Sequence, residues 1–329
     1  MLRRYLTTTT TTTDIAIIGA GLVGLSTARS ILQNNPHLNI TILEKESKPA
    51  QHQSSHNSGV IHAGIYYKPG SKRAELCVQG AAQMYQYCQT NNIPYSKNGK
   101  LIVATNQEEI PRLKNLYQTG MTNQVEGLEI INTQQIKEIE PLLCNGNAPL
   151  AIWSPNTGIV DYEIVAQHIA KEIQNQKAEI KTNFEVVRTT INNDDNMNGG
   201  ITLQAKDGRK LICKRLITCA GLQSDRVATQ GDAGGQDQPS IIPFVGKWLT
   251  LKEEYGSMIN TNVYPVPDPK YPWLGVHFTP TMTKNEILLG PNAVLVRKFS
   301  FFERNVETKF DRSLIIVFVI IVLQLVFLL

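Results

Sequence analysis

Apolar and polar residues follow two different periods along the chain, and the pattern is clearest near the N-terminus. A continuous apolar run ends at Ile18, apolar positions recur at helical spacing from Leu22 onward, and a second apolar run ends at Leu43. Buried parallel strands have continuous apolar sequences, whereas a helix with one buried face has an apolar residue every three to four positions. The pattern therefore predicts a strand, a helix and a second strand.

The rest of the chain shows the same two periods. Helices are predicted over residues 71–90, 108–120 and 161–174. Strands are predicted over residues 100–104, 179–182, 184–190, 201–205 and 211–220. From residue 241 onward the pattern is mostly that of strands. The chain is thus expected to begin one sheet, leave it, return to it near residues 150–225 and leave it again.

The turn between the first strand and the first helix has a G-x-G-x-x-G pattern. Gly19 permits the sharp turn, Gly21 lets backbone N–H groups approach a pyrophosphate, and Gly24 lets the helix pack close to the strand. The helix N-terminus adds partial positive charge for the phosphates. Glu44 ends the second strand, where its carboxylate can accept hydrogen bonds from ribose hydroxyls and would repel a 2′-phosphate. The turn therefore predicts FAD or NAD rather than NADP, against the alternative of an ordinary glycine turn.

The interleaved order of the segments favours a flavoprotein, because NAD dehydrogenases usually complete the nucleotide domain in one block. The predicted fold class is α/β, with a Rossmann-type FAD-binding domain interleaved with a substrate domain of mixed β-sheet plus helices. The predicted boundaries are a leader at 1–13, the FAD-binding domain at 14–98 and 150–230, an incomplete substrate domain at 99–149 and 240–300, and an apolar tail at 314–329.

Composition and the two ends of the chain narrow the function classes. Hydrophobic residues make up 42% and charged residues 18%, as in globular proteins, and the net charge of +4 includes no basic block of the kind that binds nucleic acid. The cysteines have neither CxxC nor Cys/His spacing, so no metal site is expected. The leader has two arginines and no acid before Asp14, like a mitochondrial presequence. The tail, interrupted only by Gln324, is expected to contact a membrane, with a buried strand as the alternative.

A polar loop follows the second strand. Its small hydroxyl and amide side chains let the backbone approach a flat cofactor and offer donors to phosphate and isoalloxazine. The residues predicted to bind the cofactor here are Ser54, Asn57 and Ser58. The alternative is a polar surface turn.

Residues 57–71 closely resemble the FAD-dependent L-2-hydroxyglutarate dehydrogenases, which belong to the D-amino-acid oxidase-like superfamily. Further matching stretches are residues 98–104, 241–244, 264–269, 274–279 and 290–293. The resemblance covers about 14–296. It implies FAD as cofactor, oxidation of L-2-hydroxyglutarate to 2-oxoglutarate by hydride transfer to flavin N5, and a membrane electron acceptor of the quinone or electron-transfer-flavoprotein type. The leader and the apolar tail add the expectation of a mitochondrial location in association with the inner membrane.

The resemblance also implies roles for single residues. A neutral imidazole near pH 7 suits removal of the hydroxyl proton, and His62 and His277 are the candidates, against the alternative of hydrogen-bonded core histidines. The substrate carboxylates need cationic or hydroxyl partners, for which Tyr66, Tyr67 and Lys100 are predicted. The alternative for Lys100 is a solvated lysine at a strand end.

Two further residues are expected to contact the dinucleotide. Gly221 matches a second glycine contact of such flavoproteins, and Val186 is a candidate for backbone contact to adenine, with a plain core valine as the alternative. Two departures from the family pattern are Val245, where the family usually has arginine, and the end of the resemblance after Val296. The alternative functions are a truncated, membrane-tethered remnant without activity and a related flavin oxidase of another small hydroxy or amino acid.

Overall fold

The structure, a computed structural model, describes residues 11–145, 149–192, 200–231, 240–270, 275–282, 286–295 and 313–314 of the 329-residue chain. Its contacts divide the chain into two compact units. Unit 1 consists of the described residues up to Ser55 and of Glu163–Ile242. Unit 2 consists of His56–Tyr162 and the described residues from Pro243 onward.

The elements are numbered along the chain. The strands are β1 (Thr11–Ile18), β2 (Ile40–Leu43), β3 (Val60–Ile61), β4 (Tyr95–Ser96), β5 (Lys100–Ala104), β6 (Glu129–Asn132), β7 (Leu150–Ser154), β8 (Gly158–Val160), β9 (Ala178–Lys181), β10 (Val186–Ile191), β11 (Ile201–Ala205), β12 (Lys210–Thr218), β13 (Phe244–Lys247), β14 (Leu249–Thr250), β15 (Asn262–Pro265), β16 (His277–Pro280), β17 (Ile287–Gly290), β18 (Val294–Leu295) and β19 (Ser313–Leu314). The α-helices are α1 (Leu22–Asn34), α2 (Lys72–Thr90), α3 (Ile110–Thr122), α4 (Thr133–Ile139), α5 (Tyr162–Gln174) and α6 (Ser224–Thr229). Short 3-10 turns lie at Gln107–Glu109, Pro141–Asn145, Gly221–Gln223 and Glu253–Tyr255.

Unit 1 is built on a six-stranded sheet in the order β10-β11-β12-β1-β2-β9. The four strands from β12 to β9 are parallel, and β10 and β11 add an antiparallel hairpin. The parallel strands are buried on both faces, which explains the continuous apolar runs in β1 and β2. Helix α1 packs its apolar positions, including Leu25 and Ala28, into this core. The predicted Rossmann-type sheet and the return of the chain to it are confirmed.

Strand β1 begins earlier than the sequence predicts. Thr11, Thr12 and Thr13 continue the parallel pairing of β1 with β12, so these residues belong to the sheet and not to the predicted leader at 1–13. Threonine is β-branched and favours strands, and Thr13 is buried. The remainder of the predicted leader, residues 1–10, lies outside the described residues.

Unit 2 is built on a seven-stranded mixed sheet in the order β14-β17-β16-β15-β5-β7-β6. The pair β15–β5 is parallel, and the other pairs are antiparallel. Two three-stranded sheets complete the described part of this unit, in the orders β3-β8-β4 and β18-β13-β19. The core includes Leu101, Ile102 and Ile152, which are fully buried.

The contact division places residues 56–98 and 150–162 in unit 2, whereas the sequence analysis assigned both ranges to the FAD-binding domain. The reason is pairing and packing between segments far apart in sequence. Strand β8 pairs with both β3 and β4. Ala63 and Ile65 pack into the same apolar cluster as Ile102.

The predicted helices are confirmed, with small shifts at their ends. Ser71 caps α2 by accepting a hydrogen bond from the backbone N–H of Ala74. The predicted cap Asn106 starts a 3-10 turn, so α3 itself begins two residues later than predicted, at Ile110.

None of the helices within the described residues is both long enough and apolar enough to cross a membrane. The predicted tail at 314–329 lies, apart from Leu314, outside the described residues. The same residues contain no group of three or more His, Cys, Asp or Glu side chains arranged to hold a metal ion.

Candidate active site

In the glycine turn of unit 1, two glycines lie directly against backbone carbonyl groups. Gly19 has φ +103° and lies against the carbonyl of Cys219, and a Cβ at this position would overlap that carbonyl. A Cβ on Gly24 would overlap the carbonyl of Gly19. The turn therefore requires glycine at both positions, because any side chain would push α1 away from the ends of β1 and β12.

Ser54 holds the N-terminus of α1. Its Oγ accepts a hydrogen bond from the backbone N–H of Leu22 at 2.9 Å, which supplies the cap that Gly21 has no side chain to make. A Cβ on Gly21 would lie 3.0 Å from this Oγ. Ser54 thus shapes the turn that the sequence predicts to bind phosphate.

Glu44 is fixed beside the same turn at the end of β2. The carboxylate is buried, with Oε2 accepting from the N–H of Ala20 at 2.8 Å and Oε1 accepting from the N–H of Glu46 at 3.0 Å. A carboxylate has about four acceptor positions. Two of them are used by these backbone donors, so the group can still accept hydrogen bonds from ribose hydroxyls.

The carboxyl ends of β1 and β12 lie side by side. In open parallel sheets, ligands bind at this edge. The N–H of Cys219 donates to the carbonyl of Ile18 at 2.8 Å, and Gly221 follows with φ +54°. A Cβ on Gly221 would meet no atom of the described residues within 4 Å, so this part of the chain leaves open space there. We call this group of residues the cradle: Gly19, Gly21, Gly24, Glu44 and Gly221. The closed glycine turn, the anchored carboxylate of Glu44 and the open space at Gly221 fit an adenine dinucleotide.

The other predicted cofactor residues have structural positions of their own. Val186 begins β10, is buried, and packs with Leu43 and Phe184 in the core of unit 1. Asn57 and Ser58 belong to unit 2. The Oδ1 of Asn57 accepts from the N–H of Gly59 at 2.9 Å, which shapes the turn before β3.

A second group of predicted residues meets in unit 2. Lys100 begins β5, and its Nζ lies 3.3 Å from Nδ1 of His62. The same Nζ lies 3.9 Å from the ring centroid of Tyr264 and 5.3 Å from that of Tyr66. These four residues and His277 are called the histidine–lysine cluster. Lys100 is only 1% exposed, which rules out the alternative of a solvated strand-end lysine.

Burial controls the charges in the histidine–lysine cluster. It lowers the pKa of Lys100 to about 7, because a buried ammonium loses its hydration, and a nearby Cys77 opposes this shift. The pKa of His62 falls well below its usual value because of burial, then because of the charge of Lys100 and of His277. His62 is therefore a neutral imidazole near pH 7, and Lys100 changes charge there.

His277 is held among aromatic rings. Its ring stacks on Tyr264 at a centroid distance of 3.8 Å and meets Trp248 edge-on at 5.0 Å. Its Nδ1 lies 3.2 Å from Oγ1 of Thr279, and the residue is 4% exposed. Burial, followed by the charge of Lys100, lowers the pKa of His277 to about 3. These surroundings are those of a packed, neutral histidine.

The predicted substrate residues Tyr66 and Tyr67 lie on a loop that Asn123 holds in place. The Nδ2 of Asn123 donates to the carbonyl of Gly64 at 3.0 Å and to that of Tyr67 at 2.8 Å. The hydroxyl of Tyr66 is buried with no hydrogen-bond partner among the described residues. Burial raises the pKa of both tyrosines, so both hydroxyls keep their protons.

Three residues around this site were not among the sequence predictions of site residues. Tyr264 and Trp248 contact His277 through their rings, and Asn123 holds the tyrosine loop. An asparagine that follows a predicted helix indicates a turn. The sequence does not indicate which carbonyl groups elsewhere in the fold its side chain will bind. The contacts of Tyr264 depend on the pairing of β15 with β5 and β16.

A family model described as FAD dependent oxidoreductase, DAO, matches residues 14–314. The chain belongs to the FAD-dependent oxidoreductase family. The predicted cofactor, FAD, and the predicted fold class are thereby confirmed. The family match continues past residue 296, where the resemblance of motifs was expected to end.

Curated relatives in the FAD-dependent oxidoreductase family are similar over most of this chain. The protein named L-2-hydroxyglutarate dehydrogenase, mitochondrial, from Bos taurus is 47% identical over 309 residues, which cover 90% of this chain and 65% of the relative. The protein of the same name from Homo sapiens is 47% identical over 310 residues, covering 92% and 65%. The chain thus spans 65% of the length of these two relatives.

Solved structures show the same fold. The dithionite-reduced L-α-glycerophosphate oxidase from Mycoplasma pneumoniae with FAD bound has a TM-score of 0.76 and 26% identity, covering 87% of this chain and 73% of that protein. The glycine oxidase from Geobacillus kaustophilus has a TM-score of 0.71 at 19% identity, covering 87% and 72%.

Proposed function

We propose that the protein is an FAD-dependent dehydrogenase that oxidises L-2-hydroxyglutarate to 2-oxoglutarate. The observation that carries the proposal is the neutral imidazole of His62 beside buried Lys100 and the unpartnered hydroxyl of Tyr66. An alcohol oxidation needs such a proton acceptor. Identity of 47% to two L-2-hydroxyglutarate dehydrogenases supports the choice of substrate.

His62 is the better of the two predicted bases. As a whole residue His62 is partly exposed, whereas His277 is 4% exposed and lies between two aromatic rings. A base must lie within hydrogen-bond reach of the proton that it removes. His62 therefore accepts the hydroxyl proton of the substrate, and His277 holds the rings in place. FAD, when bound, supplies the two-electron acceptor by taking a hydride at N5.

Binding of the substrate carboxylates is assigned to the tyrosine loop with Tyr66 and Tyr67. The hydroxyl of Tyr66 is a protonated donor without a partner among the described residues, and Tyr67 follows it on the loop held by Asn123. For Lys100 the sequence predicts a carboxylate contact, which suits its ammonium form, whereas its amine form suits proton transfer.

FAD binding is assigned to the cradle, with Ser54 capping α1 beneath the phosphates. The further contacts proposed from the sequence are those of Asn57, Ser58 and Val186. In the turn, the N–H of Ala20 donates to Glu44 and that of Leu22 to Ser54, so the N-terminus of α1 would offer a phosphate mainly its partial positive charge.

The proposed setting is mitochondrial, which the names of the relatives support. Electrons from the reduced cofactor pass to a membrane acceptor of the quinone or electron-transfer-flavoprotein type, and association with the inner membrane through residues 314–329 belongs to the same proposal.

Anaerobic reduction of the purified holoprotein tests the proposed function. L-2-Hydroxyglutarate is expected to bleach the flavin absorbance in a single turnover, while D-2-hydroxyglutarate is expected to leave it unchanged. L-α-Glycerophosphate is the matched control, because a structural neighbour is named for it. Bleaching by L-α-glycerophosphate alone would replace this substrate assignment with that of a related flavin oxidase, and a purified protein without flavin would overturn the proposal.

A further inference from the structure

We propose that Lys100 is a positioning residue that sets the tautomer of His62 and takes up the proton from its Nδ1, so that the two side chains accept the substrate proton as a pair. The inference rests on the proposed function, in which His62 is the base. It replaces the carboxylate contact that the sequence predicts for Lys100.

The exposure of His62 and Lys100 indicates which of the two residues contacts the substrate. His62 is partly exposed, whereas Lys100 is 1% exposed and its Nζ lies 3.3 Å from Nδ1 of His62. The amine of Lys100 is therefore covered, and the proposal places the substrate at the imidazole. The Nζ lies 3.9 Å from the ring centroid of Tyr264, which closes its other side.

The hydrogen bond between the two groups links their proton positions. Neutral imidazole has a single N–H, on Nδ1 or on Nε2. An ammonium at Lys100 donates to Nδ1, which places the imidazole proton on Nε2 and leaves that atom unable to accept another. An amine at Lys100 can accept a hydrogen bond from Nδ1–H, which leaves Nε2 with a free lone pair for the substrate hydroxyl.

The titratable groups around Lys100 keep one charge state near neutral pH. They are His62, Tyr66, Cys77, Tyr264 and His277. Burial lowers the pKa of both histidines, raises that of both tyrosines, and raises the pKa of the cysteine thiol to about 11. Among the described residues no Asp or Glu forms an ion pair with Lys100. Lys100 is therefore the member of this group that titrates near pH 7.

The step balances in protons and electrons. The hydroxyl proton of the substrate moves to Nε2 of His62 while the proton on Nδ1 moves to Nζ of Lys100, which becomes an ammonium. The hydride from the alcohol carbon takes two electrons to FAD, and the substrate hydroxyl becomes a carbonyl. The imidazole stays neutral, which avoids a buried imidazolium beside a lysine.

Nitrogen-15 NMR of histidine-labelled holoprotein without substrate tests the tautomer. The signal of His62, assigned with a His62→Gln variant, is expected to change from the Nε2–H to the Nδ1–H tautomer with a midpoint near pH 7. The change is expected to disappear in Lys100→Met, which keeps the chain length without the amine. A tautomer that stays constant with pH in the wild-type protein would overturn the proposal.

The pH profile of flavin reduction by saturating L-2-hydroxyglutarate tests the role in the reaction. The wild-type rate is expected to rise about tenfold per pH unit below pH 7 and then level off, and Lys100→Met or Lys100→Gln is expected to give a slower, flat profile. Lys97→Met is the matched control, because Lys97 also lies over a tyrosine ring but is exposed. Its Nζ is 4.5 Å from the ring centroid of Tyr85, compared with 3.9 Å between Nζ of Lys100 and the ring centroid of Tyr264. It is expected to keep the wild-type profile.

Two other results have definite meanings. If both Lys100 variants keep the wild-type pH profile and only raise KM, Lys100 binds a carboxylate and the proposal is wrong. If L-2-hydroxyglutarate reduces the wild-type flavin at no pH, the proposed function fails, while the NMR measurement still decides whether Lys100 sets the tautomer of His62.

Discussion

At Gly24 the absence of a side chain is expected to decide cofactor binding. Gly24→Ala is expected to leave the purified protein with little or no FAD, because its Cβ would overlap the carbonyl of Gly19 and force α1 outward. Flavin absorbance per chain measures the loss. Gly80→Ala is the control, since Gly80 lies within a helix with no atom near the added Cβ, and it should keep its flavin. Normal flavin content in Gly24→Ala would refute the cradle.

The two histidines are expected to respond differently to truncation. His62→Ala should slow single-turnover flavin reduction by ~10²–10⁴, the usual contribution of a general base, with FAD still bound. His277→Ala should mainly lower the unfolding midpoint, because it empties a site between two aromatic rings. Exposed His37→Ala should change neither quantity. Equal rates in His62→Ala and wild type would exclude this histidine as the base.

Sequence predicts single residues well where their partners are local. Gly19, Gly21 and Gly24 are found by spacing alone, since Gly19 and Gly24 contact each other within one turn. The burial of Lys100 could not be predicted, because it comes from Tyr264 and His62, which lie far from it in sequence. The same holds for the ring stack around His277.

At the level of elements, one side chain after α3 fixes the tyrosine loop. Asn123→Ala is expected to lower the free energy of unfolding by about 1–3 kcal/mol through the loss of two hydrogen bonds, and to raise KM because Tyr66 and Tyr67 lose their support. Denaturant unfolding and steady-state kinetics measure the two effects.

Asn91→Ala provides the matched comparison. Asn91 follows α2 as Asn123 follows α3, but its Nδ2 donates only to the carbonyl of Tyr87 within its own helix end. This variant should lose about 0.5–1.5 kcal/mol and keep the wild-type KM. If both variants had the same KM, the loop held by Asn123 would have no part in substrate binding.

Helices were predicted more closely than short strands, for a physical reason. A helix has its period and its caps within its own sequence, as Ser71 before α2 shows. Strands β3, β4 and β8 have two or three residues each and exist only through pairing with one another. No local pattern is long enough to predict them.

For the whole molecule, buried Lys100 makes stability depend on pH. Its folded pKa, about 7, lies below that of an unfolded lysine, so folding releases a proton between these values and the free energy of unfolding rises with pH in that range. The contribution is complete above the unfolded pKa and is lost as pH falls toward 7. The slope cannot exceed about 1.4 kcal/mol per pH unit.

The clearest window for this measurement is pH 7–9. Above it, the raised pKa of the Cys77 thiol, about 11, has the opposite effect, because a folded thiol keeps its proton longer than an unfolded one. Denaturant unfolding of the holoprotein at several pH values should show the rise, and Lys100→Met should flatten it. A flat wild-type curve would show that Lys100 is not buried as a neutral amine.

The order of segments was predicted correctly at this scale, because alternating strand and helix patterns reveal a chain that leaves a sheet and returns. The predicted domain borders differ from the borders of the two units, because residues 56–98 and 150–162 have strand and helix patterns that fit either unit. The pairing of β7 with β5 and the packing of Ala63 and Ile65 against Ile102 assign these ranges to unit 2.

The position of β1 has a consequence for synthesis on the ribosome. This strand pairs with β2 nearby but also with β12, and the ion pair between Lys214 and Asp14, at 2.7 Å, joins residues 200 positions apart. Translation adds about 5–20 residues per second. A nascent chain therefore carries Gly19, Gly21 and Gly24 for about ten seconds or more before Cys219 and Gly221 emerge to complete the cradle, and we expect flavin capture to be a late event in the life of each new chain.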